Sequence, residues 1–181
     1  MLLLPSPHHN NRPAPPLIDT IVVHSMHDNQ PLSPVTTNLL PPSPDPYLTT
    51  CAEILANHQV SAHYLIGRYG ALCQCVSEDL RAWHAGASCM PFEDDRREGV
   101  NDFSIGIELL TSPAQDFTEA QYLELANLIN AICSRHPIRN IVGHDHIAPG
   151  RKSDPGPTFN WKHLKNLLNN PKLRFAPQTE I

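Results

Sequence analysis

Residues 141–157, IVGHDHIAPGRKSDPGP, leave the backbone little choice of course, because Pro149, Gly150, Pro155, Gly156 and Pro157 fix φ values and turn positions at five of seventeen residues. Held among them are two histidines (His144, His146), two aspartates (Asp145, Asp154) and two cations (Arg151, Lys152). Restraint of this degree suits a loop that must hold a ligand set in place. A polar, proline-rich surface turn would have the same composition, so the choice between a site and a turn rests on the rest of the chain.

The run that enters this loop, Ile141 to Gly143, reads as a strand, and two other segments match it. IDTIVVHSM (18–26) is β-branched and places His24 at its C-terminal end. FSIGIELL (103–110) alternates strictly, with Ile105, Ile107 and Leu109 on one face and Ser104, Gly106 and Glu108 on the other. The small residues of that second face suggest an open floor beside Glu108 on which substrate could lie; a solvated sheet face has the same pattern.

The sequence 116–137 predicts a helix opened by a Thr118–Gln121 capping box and packed through Tyr122, Leu125, Ala126, Ile129, Ile132 and Cys133. Shorter helices are expected over 47–59, capped by Thr49 or Thr50, and over 160–170, capped by Asn160 and closed by Pro171. Residues 61–77 read as a hairpin around Arg68, Tyr69 and Gly70. The order β, α, ββ, β, α, β, α implies a single α/β domain, a central mixed β-sheet flanked by helices, with a site at the C-terminal ends of strands.

Proline-rich residues 1–17 are expected to form an extended arm lying over that domain, residues 18–170 the domain, and 171–181 a frayed tail. The six-proline segment 28–46 is expected to be a long loop bordering a cleft.

A net charge of -5 and a pI near 6.1 argue against nucleic acid or an anionic membrane as the main partner. Five cysteines without CxxC spacing suggest neither a disulfide framework nor a cysteine metal site. With no signal-peptide pattern and no run long enough to span a bilayer, the expected location is the cytoplasm.

His24 and His144 each end a β-branched strand. If those strands are neighbours, Asp154 can fold back to complete a His, His, Asp set with one position left for water, which is an open catalytic zinc site. At this point the chain resembles the type 2 N-acetylmuramoyl-L-alanine amidases. The matching pieces are IVVH (21–24), VSAHYLI (60–66), RAWHAGAS (81–88), NDFSIGIEL (101–109) and GHDHIAPGRKSDPGP (143–157).

The resemblance implies one zinc ion held by His24, His144 and Asp154, and hydrolysis of the amide joining the lactyl group of muramic acid to L-alanine, with peptidoglycan fragments as partners. Glu108 then serves as general base and Lys152 stabilises the oxyanion. Trp83, His84, Asn101 and Arg151 are expected on the substrate side of the cleft. His63, with Asn101, orients a ligand or loop by hydrogen bonding. His146 is the rival metal ligand by HxH spacing, but its place in the motif makes it a packing or hydrogen-bonding residue.

Members that act on anhydromuramyl peptides tend to carry arginine where this chain has Gln59 and the Gly99, Val100 pair. The glutamate that often follows Glu108 by two is Leu110 here. Intact cell wall therefore stands beside anhydro fragments as the substrate, and a non-catalytic muropeptide-binding module of the same fold is the competing reading.

Overall fold

Three β-branched segments meet side by side at the centre of a seven-stranded sheet. The structure, a computed structural model, describes residues 1–15, 17–26, 46–111 and 116–176. Its strands are β1 (Leu2–Leu3), β2 (His9–Asn11), β3 (Thr20–Met26), β4 (Tyr64–Ile66), β5 (Leu72–Gln74), β6 (Leu80–Ala82), β7 (Ser104–Leu110), β8 (Asn140–Gly143) and β9 (Arg174–Phe175); its helices are α1 (Pro46–Asn57), α2 (Glu119–Cys133), α3 (His144–Ile147) and α4 (Trp161–Leu168). The large sheet runs β1-β5-β4-β7-β3-β8-β9, and β2 pairs with β6 separately. Only the β4–β5 hairpin is antiparallel in the large sheet; its other ladders are parallel, which gives the expected mixed α/β architecture.

Alternation along the central strands divides the core in two. Ile21, Val23, Ile105, Ile107, Leu109 and Ile141 face one side, where Leu125, Ile129 and Ile132 of α2 and Leu164 and Leu168 of α4 cover them. Nearly all of these side chains are fully buried, each stabilising the fold by roughly 1.5–3 kcal/mol. Val22 and Val142 face the other side, against Ala85, Met90, Phe92, Val100 and Phe103 from the irregular segment between β6 and β7. Farther along that second face, α1 packs Leu48 and Cys51 on Leu65 and Leu110. The site lies between these two covers.

Polar groups in the core are anchored. Thr118 and Gln121 form the reciprocal capping box of α2, and the fully buried Gln121 amide also donates to the Leu110 carbonyl at 2.8 Å. Asn160 caps α4 by accepting from the His163 amide, and its own amide donates to the Tyr122 hydroxyl at 2.7 Å, tying α4 to α2.

Four expectations need correction. The N-terminal arm does not merely lie over the domain: Leu2–Leu3 adds an edge strand, His9–Asn11 pairs with β6, and the buried Arg12 guanidinium donates to the carbonyls of Glu78, Asn101, Asp102 and Ser104. The tail is not frayed as far as Ala176, since Arg174–Phe175 pairs with β8 and Leu173 and Ala176 are buried. Helix α1 begins at Pro46, so Thr49 and Thr50 lie inside it rather than at its cap. Helix α4 stops at Leu168 because Asn169 adopts a left-handed conformation, two residues before Pro171. The loop expected over 28–46 lies outside the described residues up to position 45, as do residues 177–181.

Candidate metal centre and active site

Register assembles the site. In the parallel β3–β7 ladder His24 stands opposite Glu108, and in the β3–β8 ladder Val23 stands opposite Gly143, so His144 follows directly beside His24. The chain then turns through α3 and returns: the Asp145 amide donates to the Asp154 carbonyl at 2.8 Å, bringing Asp154 back over the strand ends. Three residues distant in sequence thereby present three donor atoms to one point. His24 Nδ1 and His144 Nδ1 are 3.0 Å apart, and Asp154 Oδ2 is 3.1 Å from each.

Such a triangle fits a metal ion. Bonds of about 2.0–2.1 Å at a tetrahedral angle place zinc ligands roughly 3.3 Å apart, close to the spacing here. The chemistry of the donors agrees. Burial in the protein interior lowers His24 to about 4, against a partial opposing pull from Asp154, so its ring is neutral. Burial would raise the Asp154 carboxyl, but its contacts with the His144 and His24 rings outweigh that and hold it well below the usual carboxylate range. Two imidazoles and one carboxylate form a metal-binding set.

Glu108 lies at the edge of this cluster, its Oε1 4.0 Å from His24 Nδ1. Burial pushes its carboxyl up to about 8, the Asp154 charge adding to the effect and Lys152 opposing it. Its Oε2 is buried without a hydrogen-bond partner among the described residues. A buried carboxyl with a raised pKa in a cleft is the kind of group that can accept and return a proton. A cavity of about 210 Å³ opens here between Leu55 of α1 and Trp83, with Glu108, His144, Lys152 and Asp154 in its wall.

The other expected site residues fall into two groups. Lys152 borders the cavity. Trp83 is half-buried beside it, its indole Nε1–H donating to Asn10 Oδ1 at 3.0 Å, and Arg151 lines an adjoining cavity while donating to the carbonyls of Ala85 and Ala87.

His84 and Asn101, which also line the cavities, and His63 and His146 are tied into the protein by hydrogen bonds. His84 is buried with Nδ1 3.0 Å from His24 Nε2. Asn101 Oδ1 accepts from the amides of His84 and Ala85 at 3.1 and 2.8 Å and so fixes that turn. His63 Nδ1 accepts from the Gly106 amide at 3.0 Å, joining β4 to β7. His146 Nδ1 accepts from the Gly143 amide at 2.8 Å and caps α3, and His146 stands outside the His24, His144, Asp154 cluster.

The open floor expected over Gly106 is filled: a Cβ at that position would collide with the His84 ring, so the glycine serves His84 and not substrate. Reasoning from sequence overlooked Arg12, hidden in a segment that reads as an arm, and Ser104, which the alternation of β7 placed on the correct face without assigning it work.

An α/β sheet with an open His, His, Asp centre at the carboxyl ends of parallel strands, and a buried carboxyl beside it, has the donor set and proton carrier of a mononuclear metallohydrolase. The sequence profile of the N-acetylmuramoyl-L-alanine amidases matches residues 12–157, and the chain belongs to that family. It is 39% identical over 173 residues to the 1,6-anhydro-N-acetylmuramyl-L-alanine amidase AmpD of Citrobacter freundii, a match covering 91% of this chain and 88% of that one. A crystal structure of an AmpD derivative superposes with a TM-score of 0.70 at 40% identity, covering 92% of this chain and 93% of that one. The amidase AmiD of E. coli, in complex with its substrate anhydro-N-acetylmuramic acid-L-Ala-D-gamma-Glu-L-Lys, superposes with a TM-score of 0.64 at 31% identity, covering 83% and 57%.

Proposed function

We propose that this chain is a zinc amidase that hydrolyses the bond between the lactyl carbonyl of N-acetylmuramic acid, foremost in its 1,6-anhydro form, and the nitrogen of L-alanine. The observation that carries this reading is the triangle of His24 Nδ1, His144 Nδ1 and Asp154 Oδ2 at 3.0–3.1 Å, with Glu108 4.0 Å from its corner. The named relatives that match over nine-tenths of the chain favour the anhydro substrate over intact wall.

His24, His144 and Asp154 would hold the ion, which when bound acidifies a water and polarises the scissile carbonyl. The chain's own residues do the rest. Glu108 takes the proton of the attacking water and delivers it to the departing alanine nitrogen, a double duty that its raised pKa suits. The Lys152 ammonium, in the wall of the same cavity, balances the charge that develops on the carbonyl oxygen. Trp83 offers an aromatic face at the mouth of the cavity, and Leu55 and Val60 give it an apolar wall against which a sugar or a short peptide stem can rest.

A place among soluble muropeptides in the cytoplasm is consistent with this substrate. No helix among the described residues is long and apolar enough to cross a membrane. We assign the amidase unit to residues 18–176, which takes in β9, with the N-terminal arm joined to it through β1, β2 and Arg12.

The test is an anhydromuramyl tripeptide incubated with the purified chain and resolved by mass. The expected result is two products whose summed mass exceeds the substrate by one water, with cleavage abolished by chelation and restored by zinc. Tight binding of the muropeptide without cleavage at any zinc loading would replace this reading with that of a binding module.

A further inference from the structure

We propose that Ser104 and His84 form a directional hydrogen-bond relay that fixes the tautomer of His24 and so prepares its Nδ1 for the metal; both are positioning residues, and the inference rests on the zinc reading above. The direction follows from a group that has no choice. Ser104 Oγ lies 2.6 Å from the Val100 carbonyl oxygen, which only accepts, so the serine hydroxyl proton is committed there.

Toward His84 Nε2, 3.2 Å away, Ser104 Oγ therefore acts as acceptor, and His84 carries its proton on Nε2. His24 Nδ1 faces the other two donors, so a His24 that coordinates through it carries its proton on Nε2, and His84 Nδ1 is the lone pair that meets it. It lies 3.0 Å from His24 Nε2 and accepts that N–H. His24 is then the Nε2–H tautomer, and its Nδ1 lone pair faces His144 Nδ1 and Asp154 Oδ2.

Burial supports each link. Ser104 is fully buried and His84 and His24 nearly so.

The surroundings are shaped for the ring. Gly106, between Ser104 and Glu108 on the same strand face, is the residue whose missing side chain makes room for the imidazole. Asn101 holds the His84 and Ala85 amides, and the Ala85 carbonyl accepts from His144 Nε2 at 3.2 Å. One clamped turn thus sets both metal-facing rings: His144 through a backbone carbonyl, His24 through a side chain whose polarity is dictated by a serine eighty residues away along the chain.

The experiment measures zinc affinity by chelator competition, together with the ring tautomers of His24 and His84 by long-range proton–nitrogen correlation in the unsubstituted, zinc-loaded chain. The expected spectrum shows His84 protonated on Nε2 only and His24 protonated on Nε2. Ser104→Ala and His84→Leu are expected to bind zinc about 10–100-fold more weakly. His84→Asn, whose Oδ1 stands near the position of the lost Nδ1, is expected to recover most of that loss.

A His84 protonated on Nδ1, Ser104→Ala affinity equal to that of the unsubstituted chain, or His84→Asn no better than His84→Leu would overturn the relay. Failure of the unsubstituted chain to bind zinc would instead overturn the reading on which it rests.

Discussion

Replacing Asp154 with asparagine removes one charge from the proposed centre while keeping the shape of the side chain. Its Oδ2 is the single anionic donor, 3.1 Å from each histidine nitrogen. Two unit charges about 4 Å apart interact by about 4 kcal/mol at an effective dielectric near 20, a lower bound for a divalent ion in direct contact. A loss of that size is about three decades in Kd.

The readout is thermal unfolding followed by circular dichroism, with and without zinc. For the unsubstituted chain at zinc a thousandfold above its Kd, linkage contributes about 4 kcal/mol, which for a domain of this size raises Tm by roughly 8–16 °C. The same zinc concentration sits near the variant's Kd and contributes less than about 0.5 kcal/mol, a shift of at most about 2 °C. Comparing each protein with its own metal-free form removes any effect of the substitution on stability itself. An Asp154→Asn chain that kept the full zinc-induced shift would refute the assignment of Asp154 as a ligand.

Two further substitutions separate chemistry from scaffolding. Glu108→Gln is expected to retain one zinc per chain by metal analysis while losing about 10²–10⁴-fold in turnover, since the amide occupies the same space but cannot take up a proton and pass it on. Glu78 lies on the opposite side of the sheet, where burial alone would raise its carboxyl, but hydrogen bonds from Arg135, Tyr64 and His136 bring it from 4.5 to about 2. A depressed folded-state pKa means that its stabilisation, about 3 kcal/mol, is fully present above pH 4.5 and lost as pH falls from there to about 2. Glu78→Gln is therefore expected to flatten stability across that window, as measured by urea unfolding at a series of pH values. An unchanged slope would mean the network contributes nothing.

Much of this arrangement was legible in sequence because the central strands are β-branched and alternate without interruption. That pattern fixed which faces of 103–110 turn to the helices, and the Thr118–Gln121 pair announced the start of α2. His24, His144 and Asp154 could be grouped because two of them end strands and the third follows the Pro149–Gly150 turn that lets the chain fold back.

Periodicity was silent where long-range partners decide the outcome. Leu2–Leu3 and Arg174–Phe175 are too short to read as strands and become so only because β5 and β8 leave an edge beside them. Arg12 looked like part of a polar arm, yet four carbonyls distant in sequence draw its guanidinium into the interior. Gly106 marked a place where something approaches the backbone closely, but not that the something is the ring of His84 rather than substrate.

Cleavage of an anhydromuramyl peptide in ¹⁸O-water by the zinc-loaded chain tests the bond and the direction of attack together. The account predicts one labelled oxygen in the lactyl carboxylate of the sugar product and none in the released peptide, whose new terminus is the alanine amine. Label in a peptide carboxylate, or no cleavage by a chain that carries its zinc, would contradict it.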